Sequence, residues 1–138
     1  MIIFGPVPSR RLGKSLGINN IPSSKICSYS CIYCQIGITE QYSSSLKPYY
    51  TPLQIYEDVE EQLKKTSENN KPDSLTFVSN GEPTLDIRLN EWIIKLKELS
   101  IPVAAITNTS MLHISQVRDN LQLADWISVK IDTDNEYI

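Results

Sequence analysis

Two hydrophobic periods alternate between residues 51 and 131, and this constrains the fold more than any other feature of the sequence. Thr51-Pro52-Leu53-Gln54 reads as a helix start, with Thr at the N-cap, Pro at the first helical position and Gln at the capping-box position. Leu53, Tyr56, Val59 and Leu63 then recur at helical spacing, and residues 69–72 break the chain. Residues 75–79 read as a strand, followed by an Asn80-Gly81-Glu82-Pro83 turn. Leu89, Trp92, Ile93 and Leu96 form the stripe of an amphipathic helix that ends at Ile101-Pro102. A short buried strand over 103–106, a weaker helix over about 115–121 and a strand over 126–131 follow. With the apolar stretch 16–21 as a first strand, the order is β-α-β-α-β-α-β, which favours right-handed βαβ units and a parallel sheet. The rest of residues 5–50 is rich in Gly, Pro, Ser and Cys and reads as loop.

Closing a (β/α) barrel takes more units than these. Either the sheet stays open or the chain is the front part of a longer protein. The lack of a helix in residues 132–138 to cover the last strand favours the second reading. The expectation is an open edge at 126–131, with Ile127, Val129 and Ile131 less covered than Phe77 and residues 103–106.

The chain has 138 residues, which suggests one domain, and its 41% hydrophobic and 21% charged content argues against disorder. It has no 18-residue apolar run and no basic flank or apolar core of a secretory signal at its start, so neither a membrane nor export is expected. Three cysteines without a signal point to a reducing, cytoplasmic setting. The net charge of −3 makes no global case for nucleic acid. Residues 1–50 carry Arg10, Arg11, Lys14, Lys25 and Lys47 against Glu40, and the remainder is acidic. Such a basic start could attract an anion, although scatter in a short stretch explains it as well.

Cys27-Ser-Tyr-Ser-Cys31-Ile-Tyr-Cys34 uses every cysteine of the chain in a C-x3-C-x2-C triplet. Thiolates are soft ligands that select zinc or iron–sulfur clusters. Four would complete a cubane cluster; three leave one iron open to a substrate or cofactor. Other readings stand beside this one. Structural zinc needs four ligands, and the single histidine, His113, is far away in sequence. Cys31-Ile-Tyr-Cys34 could be a redox pair, but Gln35-Ile-Gly37 is a poor opening for a helix that would depress a thiol pKa. Ordinary buried cysteines complete the set.

The triplet, with Tyr33 just before its third cysteine, resembles the signature of the radical S-adenosylmethionine (SAM) superfamily. Ser79-Asn80-Gly81-Glu82-Pro83-Thr84-Leu85 resembles that superfamily's GEP motif. The opening Phe4-Gly5-Pro6-Val7-Pro8-Ser9-Arg10-Arg11-Leu12-Gly13 resembles a subgroup loosely linked to tRNA wyosine-synthesis enzymes. The resemblance covers the whole chain. It implies a parallel-stranded α/β fold, a partial (β/α)6 TIM-like barrel with about four strands and three helices present. Residues 1–50 would hold the first strand and cluster loop, and residues 51–138 the βα units.

The same resemblance implies that Cys27, Cys31 and Cys34 hold a [4Fe–4S] cluster whose fourth iron is chelated by SAM. Reduction would then cleave SAM to methionine and a 5′-deoxyadenosyl radical that abstracts hydrogen from substrate. Gly81 would let the backbone approach the methionine end, carbonyls of the Gly81-Glu82-Pro83 turn would accept from its amino group, and Glu82 would fix the turn or the ammonium. Pro83 would stiffen the turn, and Tyr33 would lie against adenine. The implied partners are a one-electron donor of flavodoxin or ferredoxin type and a substrate not named by the sequence, with RNA as one class. The competing function is a non-catalytic zinc-binding or thiol-redox domain.

Period-2 alternation puts Trp126, Ser128, Lys130 and Asp132 on one face of the last strand and Ile127, Val129 and Ile131 on the other. Polar residues at the C-terminal ends of barrel strands read as site residues. Lys130 is thus a candidate for SAM's carboxylate or ribose, Ser128 and Asp132 for its ribose hydroxyls, and Asn108 for a similar role; a solvated strand face is the plain alternative. Pro8-Ser-Arg-Arg-Leu-Gly13-Lys14-Ser15 is nearly a phosphate-binding G-x4-G-K-[ST] loop, but Pro8 has no N–H to offer and no helix is expected after Ser15. Arg10, Arg11 and Lys14 instead read as contacts for an anionic substrate or as a solvated basic loop.

Overall fold

The computed structural model describes residues 3–21, 25–31, 34 and 36–130. Seven strands and three α-helices are present among them: β1 (Ile3–Ser9), β2 (Gly13–Ile18), β3 (Ile26–Cys27), β4 (Gln41–Tyr42), α1 (Pro52–Lys65), β5 (Ser74–Phe77), α2 (Leu89–Lys97), β6 (Val103–Thr107), α3 (Ser115–Gln122) and β7 (Trp126–Val129). The main sheet runs β1-β2-β5-β6-β7. β2, β5, β6 and β7 are parallel neighbours, joined by helical crossovers, so the expected β-α-β-α-β-α-β order stands as the run β2-α1-β5-α2-β6-α3-β7. The fold is mixed α/β on a parallel sheet, and the sheet does not close into a barrel among the described residues.

The first strand differs from its expectation. β2 starts at Gly13, and residues 19–21 lie beyond its end. Before it stands β1, an antiparallel edge strand in a stretch that reads as loop. Proline is tolerated on an edge because the N–H it lacks would face solvent, and the register shifts between Phe4 and Val7, around Gly5 and Pro6. The Phe4 ring covers Gly17 of β2, where a Cβ would overlap it.

The core lies between the sheet and its helices. Leu16, Ile18, Leu75, Phe77, Val103 and Ala105 from the strands meet Ile55 and Val59 of α1 and the whole predicted stripe of α2. Phe77 and Trp92 pack edge to face at 6.4 Å. In α1 the buried line is Ile55 and Val59, with Leu63 partly buried, whereas Leu53 is 58% exposed. Val59 and Leu63 lie on the expected face, and Ile55, one turn before Val59, takes the place expected for Leu53.

At the far side of the sheet, Ile127 is half-buried and Val129 is 54% exposed, against 0% for Phe77 and Val103. β7 is the last strand of the sheet among the described residues, as expected, and Ile131 lies outside them. Ile106 departs from the expectation: it is 42% exposed because it points away from the helices, at the C-terminal end of β6.

Candidate functional site

The C-terminal ends of β5, β6 and β7 meet the cysteine loop at one cavity of ≈ 200 Å3. Cys27, Cys31 and Cys34 all line it, together with Lys25, Tyr29, Ser79, Gly81, Glu82, Thr107, Asn108 and Lys130. This is the end of a parallel sheet at which ligands bind, because the strand-to-helix loops converge there.

The cysteine loop is held at its base. β3 and β4 pair in parallel, Ile26 with Gln41 and Cys27 with Tyr42, and so clasp the intervening residues. Within the loop, Cys34 N–H donates to the Cys31 carbonyl at 3.1 Å and Gly37 N–H to the Cys34 carbonyl at 3.1 Å. These are turns, and among the described residues here none is helical, whereas a thioredoxin-like pair relies on a helix start. All three cysteines are free. Lys25, only 3% exposed, runs inward and donates from Nζ to the Gly37 carbonyl at 2.6 Å. Burial raises the Cys34 thiol pKa, but the Ile36 N–H, the Lys25 ammonium and the Gly37 N–H outweigh it and hold the thiol below its ordinary value.

The Gly81-Glu82-Pro83 turn is tied directly to that loop. Ile26 N–H donates to the Asn80 carbonyl at 3.1 Å, and Glu82 N–H donates to the Ile26 carbonyl at 3.2 Å. Gly81 has φ +142°, and a Cβ there would overlap the Ile26 carbonyl oxygen. The close approach that demands glycine is therefore with the cysteine loop itself, whereas the sequence suggests an approach by a ligand. The Glu82 and Pro83 carbonyls already accept from Leu85 and Asp86 N–H, and Pro83 also accepts from Asn20 Nδ2 at 3.1 Å. Of the three turn carbonyls, Gly81 is thus the one left to a ligand amino group among the described residues. Pro83 is buried beneath the turn and does not line the cavity.

Glu82 is 2% exposed and bridges two elements. Its Oε1 accepts from Thr84 Oγ1 at 2.6 Å and Thr107 Oγ1 at 2.6 Å, and its Oε2 accepts from Asn108 N–H at 2.7 Å. Burial nevertheless pushes its carboxyl above the usual range. Glu82 thus ties the turn to the end of β6 while also lining the cavity. Below it, Asn20 accepts from Ser79 Oγ and donates to Asp86 Oδ2 at 3.2 Å, a buried polar layer under the turn.

Asn108 and Lys130 reach the cavity, but toward the cysteines. Asn108 Nδ2 lies 3.4 Å from Cys27 Sγ, and Lys130 Nζ lies 3.9 Å from Cys31 Sγ. Ser128 is half-buried on β7 and does not line the cavity, because Lys130 rather than Ser128 occupies the strand end. Tyr33 and Asp132 lie outside the described residues. His113 is exposed on the α3 side and lines no part of the cavity. Sequence reasoning missed Lys25, Ser79, Tyr29 and Thr107; buried polar residues flanking a motif were the signal available for the first two.

Among the described residues no three His, Cys, Asp or Glu side chains are gathered as a metal-ion site. The three thiols do line one cavity, and soft thiolates there suit zinc or an iron–sulfur cluster.

The basic hairpin lies elsewhere. Arg10 and Arg11 sit in the β1–β2 turn at the N-terminal end of β2, the opposite end of the sheet from the cavity. Lys14 N–H donates to Asp73 Oδ2 at 2.9 Å and its Nζ to the Asn69 carbonyl. Gly13-Lys14-Ser15 opens a strand, not a phosphate loop followed by a helix.

A parallel α/β sheet with a three-cysteine loop and a GEP turn at its strand ends is the arrangement of a radical SAM protein. The chain belongs to that superfamily: the model of the Radical SAM superfamily matches residues 21–138. Among relatives, the UPF0026 protein MJ1312 of Methanocaldococcus jannaschii is 49% identical over 137 residues, covering 99% of this chain and 42% of that protein. The UPF0026 protein slr1464 of Synechocystis is 36% identical over 131 residues, 94% of this chain and 48% of that one. A protein named GTPase Obg from Brachyspira hyodysenteriae is 44% identical over 134 residues, 96% of this chain and 19% of that one. The chain therefore spans less than half the length of the curated relatives it matches. No solved structure matches it. No helix of the described residues is long and apolar enough to cross a membrane.

Proposed function

We propose that this chain is the front portion of a radical SAM enzyme core, with residues 1–50 supplying the first strands and cluster loop and residues 51–138 the βα units. The observation that carries the reading is that three free thiols line the same cavity as the GEP turn, at the C-terminal ends of parallel strands. β2, β5, β6 and β7 are then four strands of a partial (β/α)6 barrel.

Cys27, Cys31 and Cys34 would hold a [4Fe–4S] cluster, with SAM at its open iron. When bound, the pair supplies one-electron reductive cleavage of the sulfonium and a radical able to abstract hydrogen. The chain's own residues perform the positioning. The β3–β4 clasp holds the base of the cysteine loop, and the Gly81 carbonyl would accept from the SAM amino group. Glu82, bonded to Thr84, Thr107 and Asn108, keeps that turn against the strand ends. Tyr29, Ile36, Val78 and Ile106 line the cavity with apolar surface that is still partly exposed among the described residues. Tyr33 would lie against adenine, and Ser128, which does not line the cavity, would reach ribose only as a secondary contact. A flavodoxin- or ferredoxin-type donor would supply the electron, in the cytoplasm; the substrate class, with RNA among the candidates, is set by chain outside this cavity.

Anaerobic reconstitution with iron and sulfide tests the reading. The protein should turn brown and retain close to four irons, roughly the cubane content, and each of Cys27→Ala, Cys31→Ala and Cys34→Ala should lose that iron. Full iron retention in all three variants, or uptake of zinc alone by the parent, would sink it. Glu82→Ala should keep the iron and weaken SAM binding.

A further inference from the structure

Each cysteine sulfur in the cavity faces a polar donor from a different part of the chain. Lys25, just before β3, faces Cys34. Lys130, just after β7, faces Cys31 at 3.9 Å. Asn108, just after β6, faces Cys27 at 3.4 Å. The third is the most tightly built. The Asn108 side chain donates from Nδ2 to Ser28 Oγ at 3.1 Å as well as to the sulfur, and its Oδ1 accepts from Ser110 N–H at 3.0 Å. Its backbone N–H is fixed by Glu82 at 2.7 Å, and Ser28 in turn meets Ser110. With Oδ1 occupied by an N–H, the carboxamide is oriented so that its NH2 group must point at the thiol. A neutral amide with this much fixation has a defined task, and the sulfur is the acceptor it is aimed at.

We propose that Asn108 is a positioning residue for the cluster: its N–H···S bond to Cys27 fixes that thiolate and raises the reduction potential of the bound cluster. This inference rests on the cluster reading above. Hydrogen bonds to the sulfurs are one of the levers by which a protein sets a cluster's potential. The reduced cluster carries one more negative charge than the oxidised one, so a donor at the sulfur stabilises the reduced form more. Cys27 is buried at 8% exposure, so the bond's electrostatic effect is less screened than in water. Asn108 therefore differs in role from a ligand contact to SAM's ribose, which is the role its position in the sequence suggests.

The test is a redox titration monitored by the spectrum of the reduced cluster, on anaerobically reconstituted protein without SAM, with iron and sulfide measured on the same samples. Asn108→Ala and Asn108→Asp should both retain iron at the parent level. At a fixed potential, Asn108→Ala should show a reduced-to-oxidised ratio about tenfold lower, a shift of about 59 mV for a one-electron couple. Asn108→Asp, which keeps the acceptor for Ser110 and replaces the donor by a carboxylate, should shift further in the same direction. Asn108→Gln, which restores a donor on a longer arm, should recover part of the ratio. Failure of the parent itself to take up iron defeats the cluster reading. Parent-like midpoints in both Asn108→Ala and Asn108→Asp, with iron intact, overturn the role of Asn108 alone. So does loss of iron from both variants, because the residue is then needed for assembly rather than for potential.

Discussion

Asp86 shows how a residue far from the thiols keeps the turn above it in place. It is buried, accepting Arg88 N–H at 2.9 Å and Asn20 Nδ2 at 3.2 Å. Burial pushes its pKa from 3.8 to about 6, against those bonds and the Arg88 charge, with Glu91 adding to the rise. Tyr49, whose own pKa is raised by burial and by Asp86, is the other titratable group facing it. A folded-state pKa above the unfolded one means that the native chain holds a proton the unfolded chain has released. The resulting stabilisation is complete below about pH 3.8 and is lost as pH rises through about 6. Glu82 is shifted in the same direction by burial and adds to the trend. Asp86→Asn should remove a component of up to about 3 kcal/mol from the loss of stability between pH 4 and 7. Urea unfolding of both proteins across that range measures it. Parallel pH profiles for parent and variant would mean that Asp86 ionises at its ordinary value.

At the scale of elements, the start of α1 reads from local signals, whereas α2 and α3 begin after Arg88 and Ile114 without a side-chain cap. Thr51 is the N-cap of α1 and accepts from Gln54 N–H at 3.3 Å, with Pro52 at the first helical position. Thr51→Ala should cost about 1 kcal/mol, read as a lower urea midpoint with an unchanged slope; no change would mean that the first turn is held by tertiary contacts alone. The α2 stripe was legible to the residue because all four of its apolar positions are buried. β1 was not legible, because Gly5, Pro6 and Pro8 carry the composition of a loop, and only its edge position makes strand pairing compatible with them. β3 and β4 have two residues each and are set by pairing between distant segments, which no local period can announce. The candidate site was half legible. The cysteines and the Gly81-Glu82-Pro83 turn stand out as motifs, whereas the Asn108–Cys27 contact, across 81 positions, depends on the parallel register of β5 and β6.

For the whole molecule, the parallel sheet separates two chemically different ends. The thiols, Lys25, Asn108 and Lys130 stand at the C-terminal ends of the strands, and Arg10 and Arg11 stand in the hairpin turn before β2. β2 has six residues, which places the hairpin about 20 Å from the cavity at a rise of about 3.3 Å per residue. At physiological ionic strength the Debye length is about 8 Å, so exposed charges at that separation are largely screened. The positive charge of the amino-terminal fifty residues therefore does not act as a unit. Lys25 is buried at the thiols, Lys14 is committed to Asn69, and the two exposed arginines face the other way. The cations lining the cavity are Lys25 and Lys130, and the arginines are not among them. Arg10→Glu combined with Arg11→Glu should thus leave iron uptake unchanged and SAM affinity within about twofold, since screening leaves less than about 0.4 kcal/mol of interaction. Equilibrium dialysis with SAM at 0.15 M salt, next to iron analysis of the same samples, measures both. A tenfold loss of SAM binding with iron intact would bring the hairpin to the ligand and contradict the separation of the two ends.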